Sequence, residues 1–291
     1  ARAKEYAMKA AVTNPMQVPA FELLAIIARL QADPMAADKA LAQLEVLDPL
    51  DHLVRFEKYL AHPSDENATA FTGMIRTELT HEAYLELAAW YLNLGLNTEV
   101  EKLLSLGPDQ PEINYWRAWL AGKSGNQTLS VELLKKANAG DPGLVFPYLQ
   151  ESIEPLTWAM KNSVSWKPKY YLALIHWNNE NRQAAKDLFA QCGDEPDFYP
   201  FYLSRVKLYE SADAAATEKD LVKAVALAPQ AWRAALSLSK FYESKKDYTR
   251  SKDVAASAFA KLPQNYYLGL NLARQLSLNN EYEACVNLLA K

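Results

Sequence analysis

A pattern that ends in proline constrains this chain more than any other feature of its sequence. It has a small residue, an apolar residue four positions later, another three positions after that, and a proline five positions further on. Offsets of four and three place the first three residues on one helical face, and the proline cannot continue that helix. Each copy therefore predicts the end of a helix. The copies are Ala3, Ala7, Ala10, Pro15; Ala37, Leu41, Leu44, Pro49; Ser130, Leu134, Ala137, Pro142; Thr217, Leu221, Ala224, Pro229; and Ser251, Ala255, Ala258, Pro263.

The spacing of these prolines gives the length of a repeated unit. Pro15 and Pro49 are 34 residues apart, and so are Pro229 and Pro263. A period of 34 residues is typical of a helix–turn–helix unit. The helix that comes first in each unit has its own mark, in which large and small apolar residues alternate along one face. Examples are Phe21, Leu24, Ala25, Ala28; Tyr84, Leu87, Ala88, Tyr91; Ala235, Leu238, Ser239, Tyr242; and Leu272, Ala273, Leu276.

With this period and these two helix patterns, most of the sequence resembles the tetratricopeptide repeat family. The resemblance implies an all-α fold, in which antiparallel helix pairs stack into a right-handed superhelical solenoid. We expect one continuous solenoid over residues 1–291, with divergent units near 51–80 and 143–166. In the first of these stretches, the string HPSDENATAF is interpreted as a loop between helices.

Both ends of the chain interrupt the repeat. The chain opens with the proline-terminated helix of a unit whose first helix is missing, and it closes on Cys285 and Leu289, the first two residues of the same pattern. Repeat stacks normally end in capping helices with a polar outer face. We therefore expect a fragment of a longer protein, whose terminal helices expose apolar side chains.

Aromatic-rich strings in the middle and C-terminal half carry a narrower resemblance. The strings VFPYLQESIEPLTWA, WKPKYYLALIHW, CGDEPDFYPFYLSR and AWRAALSL are similar to the helical C-terminal region of bacterial proteins grouped as domain-of-unknown-function family 5107. In that family a β-rich, carbohydrate-enzyme-like region is expected before the repeats. The resemblance implies that the chemistry of the whole protein would lie in that region rather than in these helices.

Charge and motifs exclude several classes of function. Lys and Arg number 31 against 35 Asp and Glu, for a net charge of -4, and no basic block is long enough to follow a row of phosphates, so we expect no nucleic-acid partner. No apolar run approaches the roughly 18 residues of a membrane span. The four histidines are scattered, and no GxGxxG, Walker or GxSxG motif occurs. We therefore expect no metal, no cofactor and no catalytic residue in this chain.

The two cysteines bear on the compartment. Cys192 and Cys285 form neither a CxxC pair nor a disulfide framework. Unpaired thiols favour a cytoplasmic location, and a bacterial periplasm stays open.

Aromatic residues are the most informative candidates for binding, because the chain has seven Trp and sixteen Tyr. Mapped onto the tetratricopeptide arrangement, several first-helix aromatics and cations should face a concave groove. Rings there could stack on a sugar or hold apolar peptide anchors, and cations could pair with a carboxylate. The other interpretation is that these rings pack between helices. The candidates are Tyr115, Trp119, Tyr170, Trp177, Tyr202, Tyr209, Arg233, Lys240, Tyr267 and Arg274, with Lys167 on the same face.

Three functions follow from these observations. The first is a protein-interaction or scaffolding module that presents the groove to a protein, a peptide or another domain of its own polypeptide. The second is an accessory helical domain of a carbohydrate-active enzyme whose β-rich catalytic region is absent from this chain. The third is a stand-alone hydrolase, which would need carboxylates that converge with shifted pKa values.

Overall fold

The computed structural model describes residues 2–210 and 213–290, which fold into helices joined by short connections. None of the described residues lies in a β-strand. The chain divides into two compact units, one formed by residues 1–145 and 149–159 and the other by residues 146–148 and 160–291. The prediction of an all-α fold is confirmed, whereas one continuous solenoid over the whole chain stays a prediction.

The N-terminal unit contains the first nine helices and most of the tenth. They are α1 (Arg2–Thr13), α2 (Val18–Leu30), α3 (Pro34–Leu47), α4 (His52–Ala61), α5 (Asp65–Thr72), α6 (Thr80–Asn93), α7 (Asn97–Ser105), α8 (Pro111–Lys123), α9 (Gln127–Ala139) and α10 (Ile153–Asn162), which follows a 3-10 turn at Gln150–Ser152.

The C-terminal unit contains the other eight helices. They are α11 (Lys167–Asn178), α12 (Arg182–Cys192), α13 (Tyr199–Tyr209), α14 (Ala214–Leu227), α15 (Trp232–Ser244), α16 (Tyr248–Lys261), α17 (Tyr266–Leu278) and α18 (Tyr282–Leu289). Helices that follow one another in the sequence pack together as antiparallel pairs, such as α2 with α3, α8 with α9, and α15 with α16. This is the tetratricopeptide-like arrangement that the repeat predicted.

The prolines of the repeat mark helix ends as expected. Helices α1, α3, α9, α14 and α16 end two or three residues before Pro15, Pro49, Pro142, Pro229 and Pro263. Within a pair, the turn commonly passes through a left-handed residue and then a capping side chain. Gly125 has φ +83° ahead of Asn126, whose side chain accepts a hydrogen bond from the backbone N–H of Leu129. These caps satisfy donors that the start of a helix leaves unpaired.

One sequence interpretation is wrong. Part of the string HPSDENATAF forms helix α5 rather than a loop. The hydroxyl of Ser64 caps the helix by accepting from the backbone N–H of Asn67, and Phe71 at its other end is fully buried. The string looked like a loop because its polar residues fill the exposed side of a short helix.

The core of the N-terminal unit is built from aromatic rings and one buried ionic network. Phe56 packs against Phe71 with ring centroids 5.3 Å apart and against Tyr91 at 5.5 Å. Beside them the Arg29 guanidinium donates to both oxygens of the buried Glu57 carboxylate, at 2.7 and 3.1 Å. The Tyr91 hydroxyl on α6 donates to the same carboxylate at 2.7 Å. The network therefore links α2, α4 and α6, and loss of one partner would leave a costly unpaired buried charge.

The C-terminal unit combines an aromatic cluster with a polar contact between small residues. Tyr170 packs against Phe189 and Phe201, with centroids 5.7 and 5.5 Å away. Farther along the unit, the hydroxyls of Ser239 and Ser251 lie 3.1 Å apart. Both serines are fully buried. Small side chains at these positions let α15 and α16 approach closely.

Candidate functional site

The structure places four of the seven predicted groove aromatics in the core. Tyr115, Trp119, Tyr170 and Tyr202 are each at most 4% exposed, so the expectation that they line an open groove is wrong for these four rings. Lys167, which mapped to the same face, is also buried.

Local contacts explain why these rings turn inward. The Tyr115 hydroxyl donates to the side chain of Asn138 on α9, and the Tyr202 hydroxyl donates to the backbone carbonyl of Pro196 at 2.8 Å. Tyr170 lies among the rings of the aromatic cluster. A tyrosine can fill a core position when its hydroxyl finds such a partner, and the residue type does not distinguish this from an exposed role.

Trp177 and Tyr209 are half-buried. The Tyr209 hydroxyl donates to the backbone carbonyl of Lys186 at 2.8 Å, so this ring packs between α13 and α12. Trp177 keeps part of its indole accessible, and the ammonium of Lys207 lies 5.8 Å from the ring centroid.

Four candidates lie on α15 and α17, each of which is the first helix of its pair. All four are exposed, in contrast to the buried rings. Arg233 and Lys240 lie seven residues apart on α15, and Tyr267 and Arg274 lie seven residues apart on α17, so each pair occupies one side of its helix. We use the name basic face for these four residues together with Trp232 and with Lys207 on α13.

A stacked pair of rings joins α15 to α17 on this face. The rings of Trp232 and Tyr267 lie 5.1 Å apart with an interplanar angle of 6°. The Arg233 guanidinium carbon lies 4.4 Å from the Trp232 centroid, which is the distance of a cation–π contact. Tyr267 is 58% exposed, so the stack offers an apolar platform to solvent.

An ion pair also crosses between the two helices. The Arg274 guanidinium donates to both oxygens of Glu243, at 2.6 to 3.1 Å, and the Gln275 amide donates to the same carboxylate. The Arg274 side chain holds the pKa of Glu243 below its usual value, and the Gln275 amide and the charge of Lys240 lower it further, against a smaller rise from burial. The charge of Arg274 is thereby neutralised in the free protein.

The other cations of the basic face have no such partner. Within the described part of the chain, Lys207, Arg233 and Lys240 form no ion pair, and all three are exposed. Exposed cations gathered on one face attract an anionic group, most strongly at low salt.

Sequence reasoning missed Lys207, although a signal for it was present. Residues 203–210 read LSRVKLYE and residues 236–243 read LSLSKFYE, an internal repeat 33 residues apart that aligns Lys207 with Lys240. Arg274 follows Lys240 by 34 residues, the length of one repeat. Three successive first helices therefore carry a cation at equivalent positions.

A buried carboxyl in the N-terminal unit lies outside this face. Glu112 on α8 is 3% exposed and accepts a hydrogen bond from the Ser152 hydroxyl at 2.7 Å, while Ser152 accepts from the Trp116 indole at 2.9 Å. Burial raises the pKa of Glu112 to about 7, and the Ser152 hydrogen bond opposes part of that rise. Among residues 2–210 and 213–290, no three His, Cys, Asp or Glu side chains converge so as to hold a metal ion.

Comparisons with known proteins address the fold alone. No family model and no curated protein matches the chain, and the narrower resemblance to domain-of-unknown-function family 5107 is not confirmed. The chain is similar to a solved tetratricopeptide repeat protein from Parabacteroides merdae, with 15% identity, a TM-score of 0.40, and coverage of 72% of this chain and 77% of that one.

Two further solved structures are similar to this chain to about the same degree. Pseudomonas aeruginosa pilF has 12% identity, a TM-score of 0.38, and coverage of 71% of this chain and 87% of that one. The C-terminal part of a TPR repeat-containing protein from Cytophaga hutchinsonii has 13% identity, a TM-score of 0.35, and coverage of 85% and 98%. Separately, none of the described helices has the length and apolar character needed to cross a bilayer.

Proposed function

We propose that this chain is a protein-interaction module that binds an acidic, extended segment of a partner on the basic face. The observation that carries the proposal is the set of three exposed cations without ion-pair partners, Lys207, Arg233 and Lys240, next to the stacked rings of Trp232 and Tyr267. A carboxylate bound there would gain charge-assisted hydrogen bonds. An apolar side chain of the partner, next to that carboxylate, would cover the stacked rings of Trp232 and Tyr267.

The repeat also sets a register for the partner. Packed helices lie about 8–10 Å apart, and an extended chain rises about 3.3 Å per residue. Three residues of an extended peptide therefore span about the distance from one first helix to the next. Acidic residues at positions i and i+3 would therefore lie opposite Lys207 and Lys240.

The proposal assigns no catalytic role to this chain. An accessory role beside a carbohydrate-active enzyme is the alternative that the sequence left open. The stack of Trp232 and Tyr267 suits a sugar as well as an apolar side chain, and the unpaired cations favour an acidic peptide. A saccharide without charge would leave the three cations unpaired.

Fluorescence anisotropy with a labelled peptide tests the proposal. The probe is an extended peptide with Glu at every third position and Leu or Ser between them, and a scrambled peptide of the same composition tests the register. We expect the double substitution Lys207→Ala with Lys240→Ala to weaken binding by about tenfold or more, because it removes two charge-assisted contacts. The matched control is Lys135→Ala with Lys223→Ala, which removes two exposed lysines outside the face.

The outcomes separate specific binding from general charge attraction. Loss of affinity in the Lys207/Lys240 variant with none in the control supports the proposal. Equal loss in both variants, or no measurable binding of the Glu-rich peptide at low salt, would contradict it.

A further inference from the structure

A carboxylate lies beside the cations of the basic face. Glu243 is on α15, three residues after Lys240, and it pairs with Arg274 on α17. The hydrogen bonds from Arg274 hold the pKa of Glu243 below its usual value, and the charge of Lys240 lowers it further, so Glu243 is negative at neutral pH. Its side chain keeps 20% of its surface exposed. An acidic group that approached Arg274 would therefore meet a fixed negative charge.

A second contact holds this carboxylate in place. The Gln275 side chain is fully buried, and its amide donates to Glu243 at 2.6 Å. The Arg274 side chain, in contrast, is 65% exposed. A ligand that drew Arg274 away would leave Glu243 held by Gln275, with its charge uncompensated next to the ligand.

The repeat supplies an internal comparison for Glu243. In the two aligned octapeptides, Glu210 on the preceding first helix occupies the same position. Glu210 pairs instead with Arg182 on α12, the helix before α13. It follows the last residue of α13 with φ +54°, in the left-handed region, where the helix ends. The carboxylate at this position is thus held toward α12 in one unit and beside Arg274 in the next.

We propose that Glu243 determines specificity on the basic face, by limiting the bound segment to two acids, opposite Lys207 and Lys240, and rejecting a third acid opposite Arg274. This inference rests on the proposed function and narrows the partner that it allows. A third acid would compete with Glu243 for Arg274, and like charges brought together oppose binding. A neutral residue such as serine leaves the Arg274–Glu243 pair intact.

The same contacts give Arg274 its role in the free protein. Because it pairs with Glu243, it joins α17 to α15 and does not act as a third free cation, although it follows Lys240 by one repeat. The fitting partner is therefore an extended segment with acids at i and i+3 and an uncharged residue at i+6.

Fluorescence anisotropy with two labelled peptides tests this specificity. The two-acid peptide has Glu at i and i+3 and Ser at i+6, and the three-acid peptide has Glu at all three positions. For the wild-type chain we expect the two affinities to agree within about twofold, because the third acid gains no free cation. Sliding of the three-acid peptide between registers accounts for a difference of that size.

Glu243→Gln should change this preference. Glutamine removes the charge and keeps an oxygen that can accept from Gln275. The three-acid peptide should then bind about tenfold or more tightly than the two-acid peptide, because Arg274 gains a charge-assisted contact with the third acid. Adding Arg274→Gln to this variant should abolish the difference, which shows whether the gain passes through Arg274.

Glu218→Gln is the matched control. Glu218 on α14 also pairs with an arginine, since it accepts from Arg250 at 2.6 Å, and it accepts from the Tyr242 hydroxyl at 3.0 Å. Its substitution changes the net charge by the same amount outside the basic face. We expect the peptide preference of this control to match that of the wild type. Circular dichroism of each variant checks that its helices persist.

The outcomes separate this inference from the proposed function. A wild-type preference of about tenfold for the three-acid peptide, or an equal gain in the Glu218→Gln control, would overturn the role of Glu243 and leave acidic-peptide binding standing. A gain in Glu243→Gln that survives the loss of Arg274 would also overturn it, since the third acid would bind elsewhere. If neither peptide binds any of these chains at low salt, the proposed function fails and this inference fails with it.

Discussion

Helix α8 in the N-terminal unit and helices α15 and α17 in the C-terminal unit are each the first helix of a pair and carry aromatic rings. Helix α8 buries all of its rings, whereas α15 and α17 also place rings at the surface. Ten of the thirteen residues of α8 are buried, against six of thirteen in α15 and four of thirteen in α17. On α8 the rings are core, whereas on α15 and α17 Trp232 and Tyr267 stack at the surface.

The difference comes from what lies beside each helix. Helix α8 packs against α7 and α9, and its Trp116 donates a hydrogen bond to Ser152 from the segment that follows. Helix α15 packs against α14, α16 and α17 through its small and apolar residues, so the side that carries Arg233 and Lys240 stays free. An aromatic residue in this repeat is therefore structural or available for binding according to its neighbours, and the ring alone does not decide.

The largest expected effect comes from a substitution on α8, the helix whose rings are buried. Trp116→Ala removes a fully buried ring and leaves Ser152 and Glu112 without the indole that orders them. We expect a loss of about 3–5 kcal/mol in the free energy of unfolding, the usual cost of truncating a buried aromatic residue. Urea unfolding followed by circular dichroism measures it, and a loss below about 1 kcal/mol would show that α8 is not packed as described.

A pH-dependent effect of intermediate size is expected at Glu112 on the same helix. Its pKa is about 7 in the folded protein, against an ordinary value of 4.5. Because the folded state holds the proton more tightly, this carboxyl stabilises the protein fully below pH 4.5 and loses that contribution as the pH rises through about 7. The loss is on the order of 3 kcal/mol at high pH, since one pKa unit corresponds to about 1.4 kcal/mol.

Glu112→Gln isolates this contribution. Glutamine keeps an oxygen that accepts from Ser152 and carries no charge, so the variant should be more stable than the wild type at pH 8 and similar to it at pH 4.5. The carboxyl of Glu22, whose pKa burial and Asp51 also raise to about 7, titrates in both proteins and cancels in the difference. Parallel stability curves for the two proteins between pH 4.5 and pH 8 would contradict the assignment to Glu112.

The smallest expected effect on stability lies on the basic face. Tyr267→Ala removes a ring that is 58% exposed, so we expect a loss of about 0.5–1 kcal/mol, mainly from the stack with Trp232. The same substitution should weaken binding of the Glu-rich peptide, because it removes half of the apolar platform. If Tyr267→Ala lowered the free energy of unfolding as much as Trp116→Ala, the distinction between buried rings on α8 and surface rings on α15 and α17 would be wrong.

Most of the fold could be predicted from the sequence, because the repeat combines two independent signals. Helical spacing places apolar residues on one face, and a proline then stops the helix, so five helix ends were placed to within three residues. Helix α5 was missed because its signals are short: a single cap at Ser64 and one buried ring at Phe71.

The candidate site was harder to predict, for a physical reason. A repeat pattern fixes which residues share a helical face, but the exposure of that face depends on neighbours that are distant in sequence. Tyr115 and Tyr267 occupy first helices alike, and only the packing around α8 distinguishes the buried ring from the exposed one. Three of the four predicted cations were better guides, because Arg233, Lys240 and Arg274 carry charges that the core could not accommodate without partners, whereas Lys167 is buried.

Lysine acetylation footprinting tests the central claim most directly, because it reports which cations a partner covers. The protein is treated with a limiting acylating reagent, with and without the Glu-rich peptide, and each lysine is read by mass spectrometry. We predict that bound peptide lowers the reactivity of Lys207 and Lys240 together and leaves Lys135 and Lys223 unchanged. Protection of Lys135 and Lys223 to the same extent, or unchanged reactivity at Lys207 and Lys240 under saturating peptide, would contradict binding at the basic face.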